Sequence, residues 1–385
     1  MSDSRVPFSR PYRAAVELAN LEAVLESGHV HGDGPFTRSA TERLRGMFPN
    51  AGVLLTASGT HALDMATLLL EAGPGDEVIL PSFTFPSAAT AIALTGATPV
   101  FVDIDEATGN VDPAAVEAAI TPATKAISIV HYGGIAADMT EIDRIAREHG
   151  LPVIEDNAHG LGAALHGRPL GTFGALAAQS FHDTKNIHSG EGGALVVNDP
   201  RLFERAEIIR EKGTDRSRFL RGQVDKYTWT DIGSSYLMSE LSAAVLDAQL
   251  AEFDEIQRRR HHVWDRYATE LAGWAAASGV RLMAPPPGVD HPAHMFYAIM
   301  PDTAARDALL AHLNGEGIVA TFHFIPLDSS PAGLRLGRTP TPCTRSAAFS
   351  SRLIRLPLWP GMDDDVVSRV IAEVTRFQLA GVAHG

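Results

Sequence analysis

The sequence predicts an α/β protein with a mostly parallel sheet in a large domain, followed by a smaller α+β domain at the C-terminal end. Short apolar strands alternate with helical patterns between residues 78 and 154, which is typical of strands buried on both faces by crossover helices. Two further apolar strands flank Lys185 with a connection too short for a helical crossover, so at least one strand there should be antiparallel. A proline run at residues 285–288 interrupts the later part of the chain. We therefore expect a large domain over residues 1–250, with an N-terminal arm, and a small domain over residues 251–385.

The N-terminal half contains the regular alternation of elements. Residues 14–27 carry apolar side chains at helical spacing and end at Ser27-Gly28, and a second helical pattern ends at Phe48. Ser58-Gly59-Thr60 then precedes a helix predicted over residues 61–70. Beyond it we predict strands at 78–80, 99–104, 126–130 and 153–154, and helices at 86–94, 113–120 and 138–149.

The C-terminal half is less regular. Strands are predicted at residues 176–181 and 194–197, on either side of Lys185, and a helix at 200–212. Residues 214–230 form a polar, basic loop, and one long helix over 238–260 is expected to link the two domains. Strand-like patterns then follow at 295–300, 319–324 and 353–358, with helices between and after them.

The composition indicates a soluble protein that does not bind nucleic acid. The net charge is −14, from 32 Lys+Arg against 46 Asp+Glu, whereas nucleic acids and anionic membranes attract clustered positive charge. Cys343 is the single cysteine, which excludes a disulfide framework and fits a reducing cytoplasm. Residues 1–7 lack the apolar core of a signal peptide, and no apolar run approaches the roughly 20 residues that span a bilayer. We expect a cytoplasmic protein.

Lys185 and Asp156 are the first candidates for chemistry. Lys185 follows an apolar strand and precedes a glycine-rich turn at residues 190–193, where the backbone can approach a bulky ring closely. A lysine that attacks a carbonyl must be neutral, so it belongs in a desolvated pocket near other cations. Asp156 ends a different apolar strand, where the crevice residues of open α/β sheets lie. A carboxylate there can keep a pyridine nitrogen protonated, as a pyridoxal phosphate enzyme requires.

Other polar and aromatic side chains suit the same cofactor. The segment Ser58-Gly59-Thr60 offers free N–H groups and hydroxyls at a helix N-terminus, which suits a phosphate, and Ser180 adds another hydroxyl near the lysine. Phe85 lies at a strand-to-helix turn and could stack on a planar ring. His159, three residues beyond Asp156, could stack on the ring or form a hydrogen bond with it.

Two competing chemistries fit the sequence poorly. The segment Gly160 to Leu165 follows a strand, but its sixth position is leucine and the charged pair Glu155-Asp156 precedes it, so a dinucleotide site is rejected. The 16 histidines include no His-Glu-x-x-His pair, so no metal site is predicted.

With these residues in place, the sequence resembles the sugar aminotransferases of the DegT/DnrJ/EryC1/StrS family, within the aspartate-aminotransferase (fold type I) superfamily. The resemblance runs nearly end to end and is carried by motifs at residues 32–37, 56–60, 81–85, 153–159, 180–185 and 355–358. Within the family, the loop at residues 216–236 is similar to that of the dTDP-4-amino-4,6-dideoxygalactose transaminases.

The resemblance implies roles for individual residues. Lys185 would bind the cofactor aldehyde covalently, Asp156 would pair with the pyridine nitrogen, His159 would contact the ring hydroxyl and Phe85 would stack on the ring. The phosphate contacts it implies are Ser58, Gly59, Thr60 and Ser180. Many relatives add an asparagine from the partner subunit, and the matching position here is Ser235. Nucleotide-sugar contacts are expected from Arg218, Arg221, Lys226, Tyr227 and His323.

The implied enzyme is a pyridoxal phosphate-dependent aminotransferase that acts in polysaccharide or antibiotic biosynthesis. It would move an amino group from glutamate to the C4 ketone of dTDP-4-oxo-6-deoxy-D-glucose, giving a dTDP-4-amino-4,6-dideoxyhexose, in a homodimer with active sites at the interface. Some relatives replace the lysine by histidine and dehydrate sugars, and Lys185 stands against that activity. A dehydratase and a non-catalytic regulatory protein on the same fold remain as alternatives.

Overall fold

The computed structural model describes residues 5–378, so residues 1–4 and 379–385, at the ends of the two predicted domains, lie outside the described residues. None of the helices in the described range has the length and apolar character needed to cross a membrane.

The described chain contains thirteen strands, which alternate with helices in its first half. In chain order they are β1 (Gly52–Thr56), β2 (Glu77–Pro81), β3 (Thr98–Val102), β4 (Thr124–Val130), β5 (Val153–Asp156), β6 (Ala164–Leu165), β7 (Arg168–Pro169), β8 (Leu176–Ser180), β9 (Gly193–Val197), β10 (Arg281–Leu282), β11 (Val289–Asp290), β12 (Phe296–Ile299) and β13 (Leu353–Leu356).

Fifteen α-helices complete the described chain. They are α1 (Glu17–Ser27), α2 (Pro35–Met47), α3 (Gly59–Leu69), α4 (Pro86–Leu94), α5 (Pro113–Ala119), α6 (Met139–His149), α7 (Phe203–Arg210), α8 (Arg216–Leu220), α9 (Glu240–Ala251), α10 (Phe253–Glu270), α11 (Ala272–Ala277), α12 (Thr303–Gly315), α13 (Pro331–Leu336), α14 (Thr344–Arg352) and α15 (Asp364–Arg376).

A seven-stranded sheet with the order β1-β9-β8-β5-β4-β2-β3 forms the centre of the molecule. Strands β3, β2, β4, β5 and β8 are mutually parallel, whereas β9 is antiparallel to both of its neighbours. The predicted fold class, with a mostly parallel sheet and an antiparallel strand after Lys185, is therefore confirmed. Because the connection from β8 to β9 has no helical crossover, β9 returns beside β8 and pairs with it directly.

Helices cover both faces of this sheet, as the period of two along each strand requires. In β2, Val78 and Leu80 pack beneath α3 and α4, whereas Ile79 between them packs on the opposite side beneath α5 and α6. Helix α2 and helix α9 cover the end of the sheet that carries β1 and β9. With both faces covered, the strands expose their polar side chains mainly at their ends.

The carboxyl ends of the strands meet at one edge of the sheet. Ser180 at the end of β8 and Thr56 at the end of β1 both pair with Gly193 at the start of β9. A side chain at Gly193 would overlap the backbone of Ser58 and Gly59, so glycine is required for this close approach. The turn that enters α3 is thereby brought against the strand that carries the lysine loop.

A second, three-stranded antiparallel sheet, β10-β12-β13, lies in the C-terminal part of the chain. Its core includes Phe296, Leu353 and Val370, and it also takes in Val6 from the N-terminal arm and Tyr132 from the loop after β4. The division at residue 250 stays a prediction. Strands β11, β6 and β7 form a small third sheet.

Two predicted elements are wrong. Residues 238–260 do not form one helix, because α9 ends and α10 begins at Glu252. The Glu252 carboxylate accepts hydrogen bonds from the hydroxyl of Tyr12 and the backbone N–H of Ala15, both at 2.7 Å, so the N-terminal arm holds this break. Residues 319–324 form no strand, since their backbone partners are divided between Val6 and Arg355.

Five strands were not predicted, namely β1, β6, β7, β10 and β11. Strand β1 carries an apolar run directly before the turn that enters α3. The loop predicted at residues 214–230 contains the short helix α8.

Candidate active site

A crevice of about 360 Å³ opens at the carboxyl edge of the large sheet. It is bounded by the start of α3, the ends of β5 and β8, the lysine loop, and a segment from the C-terminal part of the chain. Its lining includes nearly all the residues predicted for the cofactor site, namely Ser58, Gly59, Thr60, Phe85, Asp156, His159, Ser180 and Lys185, together with His323.

Lys185 lies on the turn after β8, which is closed by a hydrogen bond from its own backbone N–H to the carbonyl of His182 at 2.9 Å. The amine has no hydrogen-bond or ion-pair partner among the described residues. Desolvation lowers the pKa of Lys185 to about 8, with Arg355 acting in the same direction and Asp156 opposing both. A substantial fraction of this amine is therefore neutral at physiological pH, as nucleophilic attack requires.

Asp156 ends β5 and is 4% exposed. One carboxylate oxygen accepts a hydrogen bond from the backbone N–H of Ala158 at 3.1 Å, and the other has no partner among the described residues. Burial raises the pKa of Asp156, against the opposing effects of that hydrogen bond and of Lys185. The carboxylate is thus stabilised most by a cation that enters the crevice.

The residue before it, Glu155, holds the backbone that carries Asp156. Its fully buried carboxylate accepts hydrogen bonds from His131 Nε2 at 2.8 Å and from the backbone N–H groups of Gly171, Phe173 and Gly174 at 2.6 to 2.8 Å. These bonds tie the carboxyl end of β5 to the loop at the start of β8. The position of Asp156 relative to the neighbouring strand is thereby fixed.

The N-terminus of α3 forms one end of the crevice. Ser58 caps the helix, with its hydroxyl oxygen accepting from the backbone N–H of His61 at 3.1 Å. The N–H groups of Gly59 and Thr60 have no acceptor within the helix, and the Thr60 and Ser87 hydroxyls contact each other at 2.7 Å. A side chain at Gly59 would come within 2.9 Å of Ser180 Cβ. This end therefore offers unpaired donors in a space that a side chain would fill.

Two histidines present nitrogen atoms to the crevice. His159 Nδ1 accepts from the backbone N–H of Gly133 at 3.2 Å, and its ring stacks on His294 with centroids 4.3 Å apart. Burial is the main cause of a pKa well below the ordinary value for both His159 and His323. A neutral His159 whose Nδ1 accepts must carry its proton on Nε2, which suits it to donate to an oxygen of a bound ring.

Aromatic side chains line the outer part of the crevice. Phe85 is 54% exposed at the start of α4, and its ring lies 5.9 Å from that of Phe324. Phe324 in turn stacks on His323 with centroids 3.8 Å apart. A planar group that entered here would gain apolar contact with Phe85.

These residues fit pyridoxal phosphate. The unpaired N–H groups at the start of α3 suit its phosphate, the free carboxylate oxygen of Asp156 suits a protonated ring nitrogen, and the neutral amine of Lys185 suits its aldehyde. Asp156 and Lys185 form no ion pair with each other. The cofactor can therefore bind between them without breaking an ion pair.

The other predicted contacts lie away from this crevice within one chain. Ser235 and Tyr227 line a separate cavity of about 510 Å³ next to α9. Arg221 forms an ion pair with Glu207 at 2.7 Å, and Arg218 forms one with Glu204 at 3.3 Å. Lys226, on the same segment, is exposed. Only His323 of the predicted substrate contacts reaches the crevice of its own chain.

Sequence reasoning missed Arg355. Its guanidinium group lies over the ring of Phe8 at 4.5 Å, and its Nε is buried with no hydrogen-bond partner. Burial lowers the pKa of Arg355 to about 10, and its charge acts on Lys185, His159 and His323. The motif at residues 355–358 marks the residue, but no sequence signal places it beside the lysine.

Two further residues behind the crevice were also missed. Asn186 follows the lysine, and its Oδ1 accepts a hydrogen bond from His294 Nδ1 at 2.7 Å, which connects the lysine loop to the histidine stack. Tyr132 contacts His323 Nδ1 at 2.7 Å through its hydroxyl.

Among residues 5–378, no group of three or more potential ligands is arranged to hold a metal ion.

Comparisons with known proteins agree with this geometry. Residues 11–375 match the model of the DegT/DnrJ/EryC1/StrS aminotransferase family. The chain is similar to the aminotransferase TlmJ from Streptoalloteichus hindustanus, with 31% identity, a TM-score of 0.87, and coverage of 96% of this chain and 98% of TlmJ.

Two other solved structures are similar over comparable lengths. DesV from S. venezuelae is 33% identical, with a TM-score of 0.86 and coverage of 97% of this chain and 98% of DesV. The PLP form of Spr1654 from Streptococcus pneumoniae, a proposed sugar aminotransferase, is 26% identical, with a TM-score of 0.89 and coverage of 97% and 98%.

Proposed function

The chain belongs to the DegT/DnrJ/EryC1/StrS aminotransferase family, and on that premise we propose its amino donor and its sugar acceptor. It is a pyridoxal phosphate-dependent sugar aminotransferase. We propose that it transfers the amino group of glutamate to the C4 ketone of dTDP-4-oxo-6-deoxy-D-glucose and releases a dTDP-4-amino-4,6-dideoxyhexose. The observation that carries the site assignment is the crevice in which an unpaired Lys185 amine and an unpaired Asp156 oxygen face the same space.

The residues that would hold the cofactor are the start of α3 and Ser180 for its phosphate, Asp156 for its ring nitrogen, His159 for its hydroxyl and Phe85 for its face. When bound, pyridoxal phosphate supplies an aldehyde that captures amino groups and a cationic ring that stabilises negative charge on the neighbouring carbon. The chain supplies orientation, charge and protons.

Lys185 is the residue that moves protons. With a pKa of about 8, its amine both accepts and releases a proton readily near neutral pH, which is the condition for general acid–base catalysis. Asp156 keeps its negative charge in the presence of a cation and so holds that cation in place. The buried bonds of Glu155 keep the Asp156 strand end fixed while charge develops nearby.

Arg355 supports an acidic amino donor. An unpaired, desolvated guanidinium group near Lys185 can bind a carboxylate through two parallel hydrogen bonds. We assign it the α-carboxylate of glutamate, so that Arg355→Gln raises KM for glutamate while leaving cofactor affinity near that of the wild type. An unchanged KM would remove this assignment.

The dTDP-sugar and the homodimer rest on the resemblance of residues 216–236 and on the surface of the same segment. Phe219, Leu220, Tyr227, Trp229 and Ile232 are all exposed, between 40% and 76%, which is an unusual density of apolar side chains for a solvated loop. We propose that a second copy of the chain packs against this segment. In such a dimer, Lys226 and Tyr227 of one copy would lie at the crevice of the other.

The direct test is product formation by the purified, cofactor-loaded enzyme. We expect glutamate and dTDP-4-oxo-6-deoxy-D-glucose to give 2-oxoglutarate and an aminated sugar nucleotide, identified by mass and by NMR of the C4 configuration. Labelled nitrogen from glutamate should appear in the sugar, which separates amine transfer from dehydration. A UDP-linked keto-sugar serves as the matched control for the nucleotide.

Lys185→Ala should abolish turnover, whereas Lys125→Ala, a lysine in β4 remote from the crevice lining, should retain it. If the loaded enzyme consumed glutamate but aminated only a different keto-sugar, the dTDP assignment would be wrong and the aminotransferase assignment would stand.

A further inference from the structure

We propose that Tyr132 is a positioning residue that fixes the proton of His323 on Nε2, so that His323 donates a hydrogen bond to the carbonyl oxygen of the sugar. The inference rests on the proposed function, because it names the substrate atom that this histidine serves. It concerns residues of this chain alone and does not depend on how the nitrogen is delivered.

The geometry of the pair leaves one arrangement of protons. The Tyr132 hydroxyl lies 2.7 Å from His323 Nδ1, and the structure gives it no other partner among the described residues. Tyr132 is fully buried. If Nδ1 carried the proton and donated it, the phenolic hydrogen would be left in the interior without an acceptor, which costs about 1–3 kcal/mol. The hydroxyl therefore donates and Nδ1 accepts.

Both groups keep their neutral forms. Burial is the main cause of a Tyr132 pKa well above its ordinary value, so the phenol retains its proton. Burial together with the charges of Arg355, His159 and Lys185 holds the pKa of His323 well below its ordinary value. A neutral imidazole whose Nδ1 accepts carries its hydrogen on Nε2.

The Nε2 atom is directed at space rather than at protein. His323 lines the crevice with Lys185, and its Nε2 atom has no hydrogen-bond partner among the described residues. Nε2 is also absent from the buried polar atoms that lack a partner, so it is accessible from the crevice. Phe324 stacks on the ring at 3.8 Å and fixes its plane. A donor with a fixed tautomer and a fixed plane therefore faces the place where substrate enters.

The chemistry of a ketone explains what such a donor does. As nitrogen adds to the carbon, the C–N bond forms, the π bond to oxygen breaks, and the electron pair moves onto the oxygen. A neutral N–H group placed there stabilises this negative charge. Unlike an imidazolium cation, it does not release a proton to the attacking amine. The nitrogen then gives up its two protons, Lys185 and solvent carry two protons to the oxygen, and a C=N bond forms as the C–O bond breaks and water leaves.

The first measurement is the tautomer itself, in the apoprotein. Nitrogen-15 labelling of histidine, with the His323→Gln spectrum for assignment, should show His323 protonated on Nε2 and bare on Nδ1. Tyr132→Phe should convert this to a mixture of tautomers. Tyr297→Phe, which removes the hydroxyl of another buried tyrosine in the same aromatic cluster, is the matched control and should change nothing.

The second measurement separates the two half-reactions. The ratio of the sugar to the glutamate half-reaction rate should fall about tenfold in Tyr132→Phe and roughly 10²-fold in His323→Phe. His323→Gln, which keeps an N–H donor, should recover part of the loss.

A wild-type His323 that carried its proton on Nδ1 would overturn the inference, as would an unchanged ratio in His323→Phe. The tautomer of the apoprotein decides the matter even if the sugar proves to be a different one, so failure here is distinct from failure of the proposed function.

Discussion

At the scale of single residues, charged side chains without an ion-pair partner among residues 5–378 lie in and beside the crevice. Lys185 and Asp156 each alter the pKa of the other, and Arg355 lowers the pKa of Lys185, yet no ion pair joins the three side chains. Unpaired buried charges are costly in a folded protein and concentrate at functional sites. The arrangement is therefore stabilised by ligands that bring the missing opposite charges.

The pKa of Lys185 gives a pH-dependent prediction. The neutral amine increases as pH rises through about 8, so roughly a quarter is already neutral at pH 7.5. We expect the rate at which the apoprotein captures a small aldehyde at Lys185, followed by mass spectrometry after reduction, to rise with a midpoint near pH 8. Asp156→Asn should move this midpoint to lower pH, because the carboxylate raises the pKa of the lysine, and Arg355→Gln should move it to higher pH. Shifts in the same direction would contradict the assignment of charges.

At the scale of elements, the close contact between α3 and β8 sets the width of the phosphate end. Gly59→Ala would place a methyl group 2.9 Å from Ser180 Cβ and 3.2 Å from the carbonyl of Gln179. We expect cofactor affinity to fall at least tenfold and stability to fall by about 1–3 kcal/mol. Gly73→Ala is the matched control, because nothing lies within 4 Å of its added Cβ. Equal cofactor titrations for the two variants would show that this end does not bind the phosphate.

Glu155 offers a second prediction at this scale, since it joins β5 to the loop before β8. Glu155→Gln replaces an acceptor oxygen by a donor that faces N–H groups, and should cost about 3 kcal/mol in the free energy of unfolding. Denaturant titration measures this, with Glu117→Gln as control, because Glu117 pairs with Arg144 at the surface and its loss should matter little. A cost near that of the control would show that the four bonds to Glu155 are not what holds the strand end.

Most elements followed from local pattern, and those that did not depend on distant contacts. The alternation of strands and helices up to β5 reflects burial on both faces, which periodicity reports directly. The break between α9 and α10 was not predictable, because it is held by Tyr12 and Ala15, more than 200 residues away in sequence. Motifs at strand ends were enough to predict residues that line one crevice, and their contacts with the cofactor stay a prediction, whereas Arg355 and Tyr132 enter the site through tertiary packing.

At the scale of the whole molecule, the separation of Ser235 and Tyr227 from the crevice of their own chain predicts a dimer. We expect twice the mass of one chain by light scattering. Trp229→Asp, at a residue 76% exposed, should shift the equilibrium to monomer and lower activity in parallel. Leu94→Asp, at a similarly exposed leucine outside the segment, is the control and should stay dimeric. A wild-type monomer with full activity would contradict the proposed assembly.

The N-terminal arm has a consequence for how the enzyme is made. Val6 exchanges backbone hydrogen bonds of 2.8 and 2.9 Å with Gly317 and Val319, and Phe8 lies under Arg355. Val6 and Phe8 thus meet these partners only after residues more than 300 positions later in the chain have been synthesised. The seven-stranded sheet needs strands only up to residue 197 and can form earlier in translation, so a product arrested before residue 355 would contain the lysine loop and still lack a finished pocket.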